Sequence, residues 1–383
     1  MEPRTIPPAP AETGMAYADI ETPALVVDLD ALERNLDKMA AMVADAGVRL
    51  RPHAKMHKSP WVAARQIERG AVGVCCQKVS EAEVMVAGGV ADVLVSNQVV
   101  GAAKLKRLAR LNHDATVRVC IDHADAVAEI SEAARAEGVN IDTLVEIDVG
   151  AGRCGVEPGT AALELARAIT DASNLTFGGL QAYHGSAQHL RTIEERKRAI
   201  DHAIDVTRRT VDFLAIDGID CAIVGGAGTG TFEMEAASGV YNELQCGSYA
   251  FMDADYGRNR NAAGGPFDTF EHALFVLAAV MSRPGEGSAV VDAGHKATAI
   301  DSGLPLPWQL AGAEMTGMSD EHGVIDIRTV NEKPARGDKL LLVPGHCDPT
   351  VNLHDWYVGV RGLGTPEAHV ETVWPVAARG ALF

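Results

Sequence analysis

From about residue 20 to 265 the chain repeats one rhythm: a short apolar run, a polar turn, then a longer amphipathic stretch. The apolar runs are ALVVDL (24–29), VRLRPH (48–53), VGVCCQ (72–77), DVLVSNQ (92–98), TVRVCID (116–122), TLVEIDV (143–149), FGGLQAYHG (177–185) and CAIVGG (221–226). Continuous apolar runs suit parallel strands buried on both faces, whereas half-exposed strands would alternate. The stretches between them have helical spacing. Leu29, Leu32, Leu36, Met39 and Met42 share one face of 29–47, and that helix is expected to stop at Gly47. HADAVAEISEAARAEG at 123–138 opens with acidic residues and ends at Gly138 in the same manner. Eight such βα units predict a (β/α)8 barrel over 20–265. A doubly wound open sheet satisfies the same periodicity.

After about residue 265 the pattern changes. HALFVLAAVMSRP, GSAVVDAG, GVIDIRTV, DKLLLVPGH, DWYVGVRG and VETVWPVAARG are short apolar runs broken by Gly, Pro and Asp, with no long helix between them. They predict an antiparallel β domain over 266–383, with residues 1–19 a candidate to complete it. The first fifteen residues, MEPRTIPPAPAETGM, read as a Pro/Ala-rich extended arm, with no apolar core of signal-peptide length.

Charge and composition narrow the function classes. A net charge of −18 repels phosphate backbones, so a nucleic-acid partner is not expected. No apolar run approaches membrane-spanning length. The seven cysteines are scattered, odd in number and form no CxxC pair, which predicts buried reduced thiols in a cytoplasmic protein rather than a zinc site.

In a barrel, residues at the C-terminal strand ends share one mouth. Those positions are Lys55, Gln77, Asn97, Asp122, Arg153, Tyr183, His184 and the Gly-rich run 225–230. Within Arg51-Pro52-His53-Ala54-Lys55-Met56-His57-Lys58, Lys55 lies just past a strand among other cations. Such an amine is expected to have a depressed pKa and to be nucleophilic. Lys58 leads into the next helix and is expected to be solvated. The same cluster also fits surface cations capping a strand end. Gly225–Gly230 bares successive N–H groups able to cradle a phosphate, and Cys246-Gly247-Ser248-Tyr249 could close over the same group. His346 and Asp348, at i and i+2 of an extended segment, could reach one ion and leave Cys347 pointing away, although such a pair taken alone is more often a loop hydrogen bond. Two such ligands suit an open, water-rich Mn²⁺ or Mg²⁺ site.

Together these motifs resemble the D-threonine aldolases and the very similar 3-hydroxy-D-aspartate aldolases. The resemblance is carried by RPHAKMHK (51–58), QKVSEA (77–82), DVGAGRCG (148–155), QAYHGS (181–186), ELQCGSYAFMD (243–253) and HCDPT (346–350). It covers nearly the whole chain from residue 20 onward. It implies an alanine-racemase-like pyridoxal-phosphate barrel, a β domain carrying the metal site, and a homodimer. It places the Schiff-base lysine at Lys55, the contact to the cofactor's 3-oxygen at Arg153, and the metal ligands at His346 and Asp348. Gln77, Tyr183, Gly228, Thr229, Gly247 and Ser248 fall on or beside ring and phosphate contacts, and His184 is expected beside the cofactor. The related D-serine dehydratases typically carry Cys where Asp348 stands, so Asp tilts the reading from dehydratase to aldolase.

The activity so implied is cleavage of a D-3-hydroxy-amino acid to glycine and an aldehyde. The metal would acidify the β-hydroxyl, and a base would take its proton; His57 is the choice, a residue that reads almost equally well as a core or loop histidine. D-Threonine-type substrates lead over 3-hydroxy-D-aspartate. A β-carboxylate would want a cationic partner, and Arg258, Arg260 and Lys296 are all candidates. The alternatives are a D-amino-acid dehydratase and a non-catalytic pyridoxal-phosphate carrier. The extra domain and the metal pair speak against the carrier.

Overall fold

Residues 7–383 are described in a computed structural model, whose strands sort into two sheets. The first strand, β1 (Ala24–Asp28), is not part of the barrel. The barrel sheet consists of β2 (Arg49–Leu50), β3 (Val74–Cys76), β4 (Asp92–Val95), β5 (Thr116–Ile121), β6 (Ile141–Glu146), β7 (Leu175–Gln181), β8 (Ile223–Gly226) and β9 (Glu243–Leu244). All of its pairings are parallel, in the order β2-β9-β8-β7-β6-β5-β4-β3. The two ends of that order meet through Val72 N–H to Leu50 O and Cys75 N–H to Pro52 O, both 2.9 Å. The open doubly wound alternative is thereby excluded, since such a sheet has two free edges.

Sequence and structure differ in which strand is the eighth. The run at 24–29 is as apolar as a barrel strand because β1 is buried on both faces, but its neighbours belong to the second sheet. The true eighth strand, β9, has two residues and carries no periodic signal. At the N-terminal end of the barrel, the buried Arg51 binds Glu243 at 2.7 Å and also Asp92, which Arg118 shares. Arg51 therefore points away from the mouth.

The second sheet continues with β10 (Leu274–Gly285), β11 (Ser288–Val291), β12 (Leu306–Pro307), β13 (Glu314–Met318), β14 (Gly323–Asp326), β15 (Lys339–Val343), β16 (Trp356–Arg361) and β17 (His369–Pro375). Its main order is β13-β14-β11-β10-β1-β16-β17, with β15 also on β10 and β12 on β15. It is antiparallel apart from the β1–β16 pair. The N-terminal arm runs along its edge: Gly14 N–H donates to Val370 O at 2.8 Å and Tyr17 N–H to Ala368 O at 3.1 Å. Residues 1–6 of that arm lie outside the described residues.

Helix ends follow the local signals. Asp28 accepts from the N–H groups of Asp30 and Ala31 to start Leu29–Asp45, and Gly138 takes φ 69° to end Ala124–Glu137. No helix among the described residues is long and apolar enough to cross a membrane. The two units lock together behind the mouth. Trp374 of β17 stacks on Trp61 at 4.0 Å and on Tyr357 at 5.0 Å, and the Tyr357 hydroxyl donates to His57 O at 2.7 Å. The second sheet thus bears directly on the loop that carries Lys55.

Candidate active site

The barrel mouth and the β domain enclose a cavity of about 400 Å³. Lys55, Gln77, Arg153 and Tyr183 line it from the barrel, Gly228, Thr229, Gly247 and Ser248 from the glycine-rich loops, and His346 and Asp348 from the β domain. The structure brings these ten together from seven separate stretches of chain.

Lys55 sits in a 3-10 turn, Ala54–Met56, capped by His53, whose Nδ1 accepts from Lys55 N–H at 3.3 Å. Its Nζ lies 3.5 Å from Asp348 Oδ1 with 41% of the side chain exposed. The expected depression of its pKa is reversed: Asp348 raises it, outweighing burial. The neighbouring cations that argued for depression are not there. Arg51 faces the far end of the barrel, and burial drives His53 down to about 3, so it is neutral. Lys58 is corrected too: it is 5% exposed, paired with Glu81 at 2.7 Å, and held at φ 51°.

His57 does not line the cavity. It is fully buried, burial lowers its pKa to about 3, and its Nδ1 accepts from Ser59 N–H at 3.1 Å. Successive residues of a 3-10 turn are about 120° apart, so positions 55 and 57 face different sides. His184 also turns away. Its Nδ1 is 3.3 Å from Ser186 Oγ, and its ring lies against Gly150, where an added Cβ would meet Nε2 at 3.1 Å. His184 thus supports the loop that presents Arg153. The same loop is fixed by Asp148, which accepts from Gly150 N–H at 2.9 Å and Gly152 N–H at 3.1 Å.

His346 and Asp348 are not on an extended segment. His346 caps a short helix, Cys347–Val351, and Asp348 lies in its first turn. They still converge, with Nε2 to Oδ2 at 3.7 Å. His346 Nδ1 contacts Asp301 Oδ2 at 2.7 Å; burial opposes charge on this imidazole, but Asp348 and Asp301 outweigh it and raise its pKa, and with an ion on Nε2 the Asp301 contact would hold the remaining proton on Nδ1. Burial opposes charge on Asp348, but Lys55 and His346 outweigh it and lower its pKa. An imidazole nitrogen and an ionised carboxylate oxygen, each oriented inward, fit a divalent ion. No third His, Cys, Asp or Glu joins them among the described residues, so water or substrate would fill the remaining positions. Cys347 is buried, its N–H held by Asp253 at 2.9 Å.

The opposite wall fits a phosphate. Ala227 takes φ 70°, turning the chain so that Gly228 and Thr229 face the cavity. The N–H groups of Gly228, Thr229 and Gly247 meet no acceptor among the described residues. Thr229 Oγ1 accepts from Tyr249 N–H at 3.0 Å, tying this loop to the Gly247–Ser248 turn. Between the two walls Arg153 lies 5.8 Å from the Tyr183 ring centre, with Nη2 3.9 Å from the buried Glu146.

Four functional positions were missed in the sequence. His189 lines the cavity, and its Nδ1 binds Asp255 at 2.5 Å, so Nε2 is its free end. Burial raises the Asp255 pKa, but hydrogen bonds from His189 and Arg191 outweigh this and hold it at about 2. His53, Asp301 and Tyr256 complete the set. His189 and Asp301 lie beyond strand ends in loops and short turns, where no periodic signal marks them. Arg258, Arg260 and Lys296 do not line the cavity: Arg258 binds Ser302 O and Lys296 pairs with Glu321. Asn97 and Asp122 support it from behind, through Gln77 O and Gly155 N–H.

Two family models match, "Alanine racemase, N-terminal domain" over residues 27–255 and "Putative serine dehydratase domain" over 273–360. The chain is 52% identical to a 3-hydroxy-D-aspartate aldolase of Paracoccus denitrificans, covering 97% of this chain and 95% of the relative. It is 47% identical to a D-threonine aldolase of an Arthrobacter species, covering 97% and 96% respectively. The crystal structure of D-threonine aldolase from Filomicrobium marinum superposes with a TM-score of 0.95 at 53% identity, over 98% of this chain and 100% of that one.

Proposed function

Because this chain belongs to the family of the 3-hydroxy-D-aspartate and D-threonine aldolases, we propose that it cleaves D-3-hydroxy-amino acids to glycine and an aldehyde, using pyridoxal phosphate and a divalent metal ion. One observation carries the reading. Asp348 stands 3.5 Å from the Lys55 amine and 3.7 Å from His346 Nε2, so one substrate can meet the cofactor's lysine and the ion together.

Lys55 would hold the cofactor, with the Gly228, Thr229, Gly247 and Ser248 backbone on its phosphate and Gln77, Arg153 and Tyr183 around its ring. Bound there, pyridoxal phosphate supplies an electron sink for the pair released from the Cα–Cβ bond. His346 and Asp348 would hold the ion, which supplies Lewis acidity toward a β-hydroxyl. His189 takes the hydroxyl proton on Nε2, while Asp255 fixes its tautomer and orientation. His189 replaces His57 in this role because it faces the cavity and His57 does not.

The nitrogen–oxygen donor pair suits Mn²⁺ or Mg²⁺, and Asp348, where the dehydratases have Cys, favours the aldolase reaction. D-Threonine-type substrates suit a cavity whose Lys and Arg residues, Lys55 and Arg153, would both be engaged by the cofactor. The second reading, 3-hydroxy-D-aspartate giving glyoxylate, is favoured by the 52% identical relative. Seven free cysteines suit a reducing cytoplasm, and the assembly we propose is a homodimer. The test is a product assay with D-threonine, 3-hydroxy-D-aspartate and D-serine in the presence of Mn²⁺. Glycine plus aldehyde is expected; ammonia plus a keto acid from every substrate would overturn the reading.

A further inference from the structure

Behind the glycine-rich loop lies a buried carboxylate that the reaction does not use. Glu235, in the short helix Phe232–Ala236, is 2% exposed. Its Oε1 accepts from Thr231 Oγ1 at 2.9 Å, and its Oε2 has no partner. No cation among the described residues pairs with it. Burial pushes its pKa up to about 7, and the polar side chains near it are Thr231, Tyr241 and Cys246. A carboxyl group kept in this setting costs stability, so a role is to be sought in what it holds.

The hydrogen bonds run in one direction from there. Thr231, having donated to Glu235, accepts from Gln188 Nε2 at 2.9 Å. That orients the Gln188 amide so that its Oε1 accepts from Gly230 N–H at 2.9 Å. The same amide lies under Gly228, where an added Cβ would come within 2.5 Å of Gln188 Oε1. Without an acceptor at position 235 the Thr231 hydroxyl is free to rotate and to offer its proton to the Gln188 amide instead of a lone pair, and only the longer bond to His184 O, at 3.4 Å, and the Gly230 contact then hold that amide's orientation. A reversed amide would set an NH₂ group against Gly230 N–H.

We propose that Glu235 is a positioning residue for the phosphate end of the cofactor site, acting through Thr231 and Gln188 on the Gly228–Gly230 turn. The inference rests on the reading of this cavity as a pyridoxal-phosphate site. Its ligand is a phosphate monoester, so the effect is confined to vitamers that carry one.

The test compares the affinity of the cofactor-stripped protein for pyridoxal phosphate and for pyridoxal, followed by visible absorbance. Replacing Glu235 by Leu is expected to weaken pyridoxal phosphate by about tenfold, the scale of one lost buried hydrogen bond, and to leave pyridoxal unchanged. Glu235→Gln keeps an acceptor oxygen and should restore the wild-type ratio of the two affinities. Thr231→Val cuts the same chain without touching the carboxyl, and it serves if the Leu variant fails to fold. An unaltered ratio, an equal loss for both vitamers, or no rescue by Gln overturns the proposal. Failure of the wild-type protein to take up either vitamer would instead overturn the cofactor reading, and this inference with it.

Discussion

Lys58 provides a quantitative check on how the lysine-bearing loop is held. Its ammonium lies 2.7 Å from Glu81 Oε1, and the two side chains are 6% and 5% exposed. At that separation an effective dielectric of 20 gives roughly 6 kcal/mol of attraction. Desolvating the two ions costs several kcal/mol each, so the pair contributes little net stability. Breaking it from one side is different. Lys58→Met leaves the Glu81 carboxylate buried, though still hydrogen-bonded to the N–H groups of Gln77 at 2.9 Å and Lys78 at 3.1 Å. Those two donors put the expected loss near the lower end of the range for one-sided disruption, about 3 kcal/mol. Lys58→Met combined with Glu81→Gln removes both charges and keeps an acceptor for the helix N-terminus, so most of the loss should be recovered. Urea unfolding of the holoenzyme, followed by circular dichroism, measures both. A single variant within about 1 kcal/mol of wild type, or a double variant as unstable as the single, would refute the buried-pair argument.

The other predictions concern the cavity. Lys55→Ala should abolish the visible absorbance of the bound cofactor, and an undiminished band would remove Lys55 from that role. Asp348→Ala, or EDTA, should stop cleavage while the cofactor band persists; full activity in EDTA would refute the metal step. His189→Ala should lower kcat by about 10²–10⁴-fold with the cofactor retained, as expected for loss of a general base. His57→Asn, which keeps an acceptor for Ser59 N–H, should change kcat only a few-fold, and the opposite ranking of these two histidines would reinstate His57.

Most of the chemistry was legible because it sits at strand ends. Lys55, Gln77, Arg153 and Tyr183 follow apolar runs that announce themselves, and a parallel barrel gathers such positions by construction. The glycine-rich loop was legible for the same reason, being the exit from β8. The histidines were the weak point. Nearness to Lys55 along the chain points to His57, and the family resemblance points to His184. Yet a 3-10 turn sends His57 into the core, and contact with Gly150 draws His184 away. His189 lies in Gly185–His189, a turn with no repeat to mark it, and its partner Asp255 is 66 residues later.

Alternating patterns and strand-end residues therefore specify a barrel, a second sheet and the inventory of groups at the mouth, because burial on a strand or helix is a local periodic property. Which apolar run joins which sheet is not local. The run at 24–28 and a two-residue segment at 243–244 exchange the roles their patterns suggest, since periodicity records that a strand is covered but not by what. Charge states are decided in the same way: the Lys55 amine is governed by Asp348, 293 positions away in sequence and 3.5 Å away in space, and electrostatic energy depends on the second distance alone.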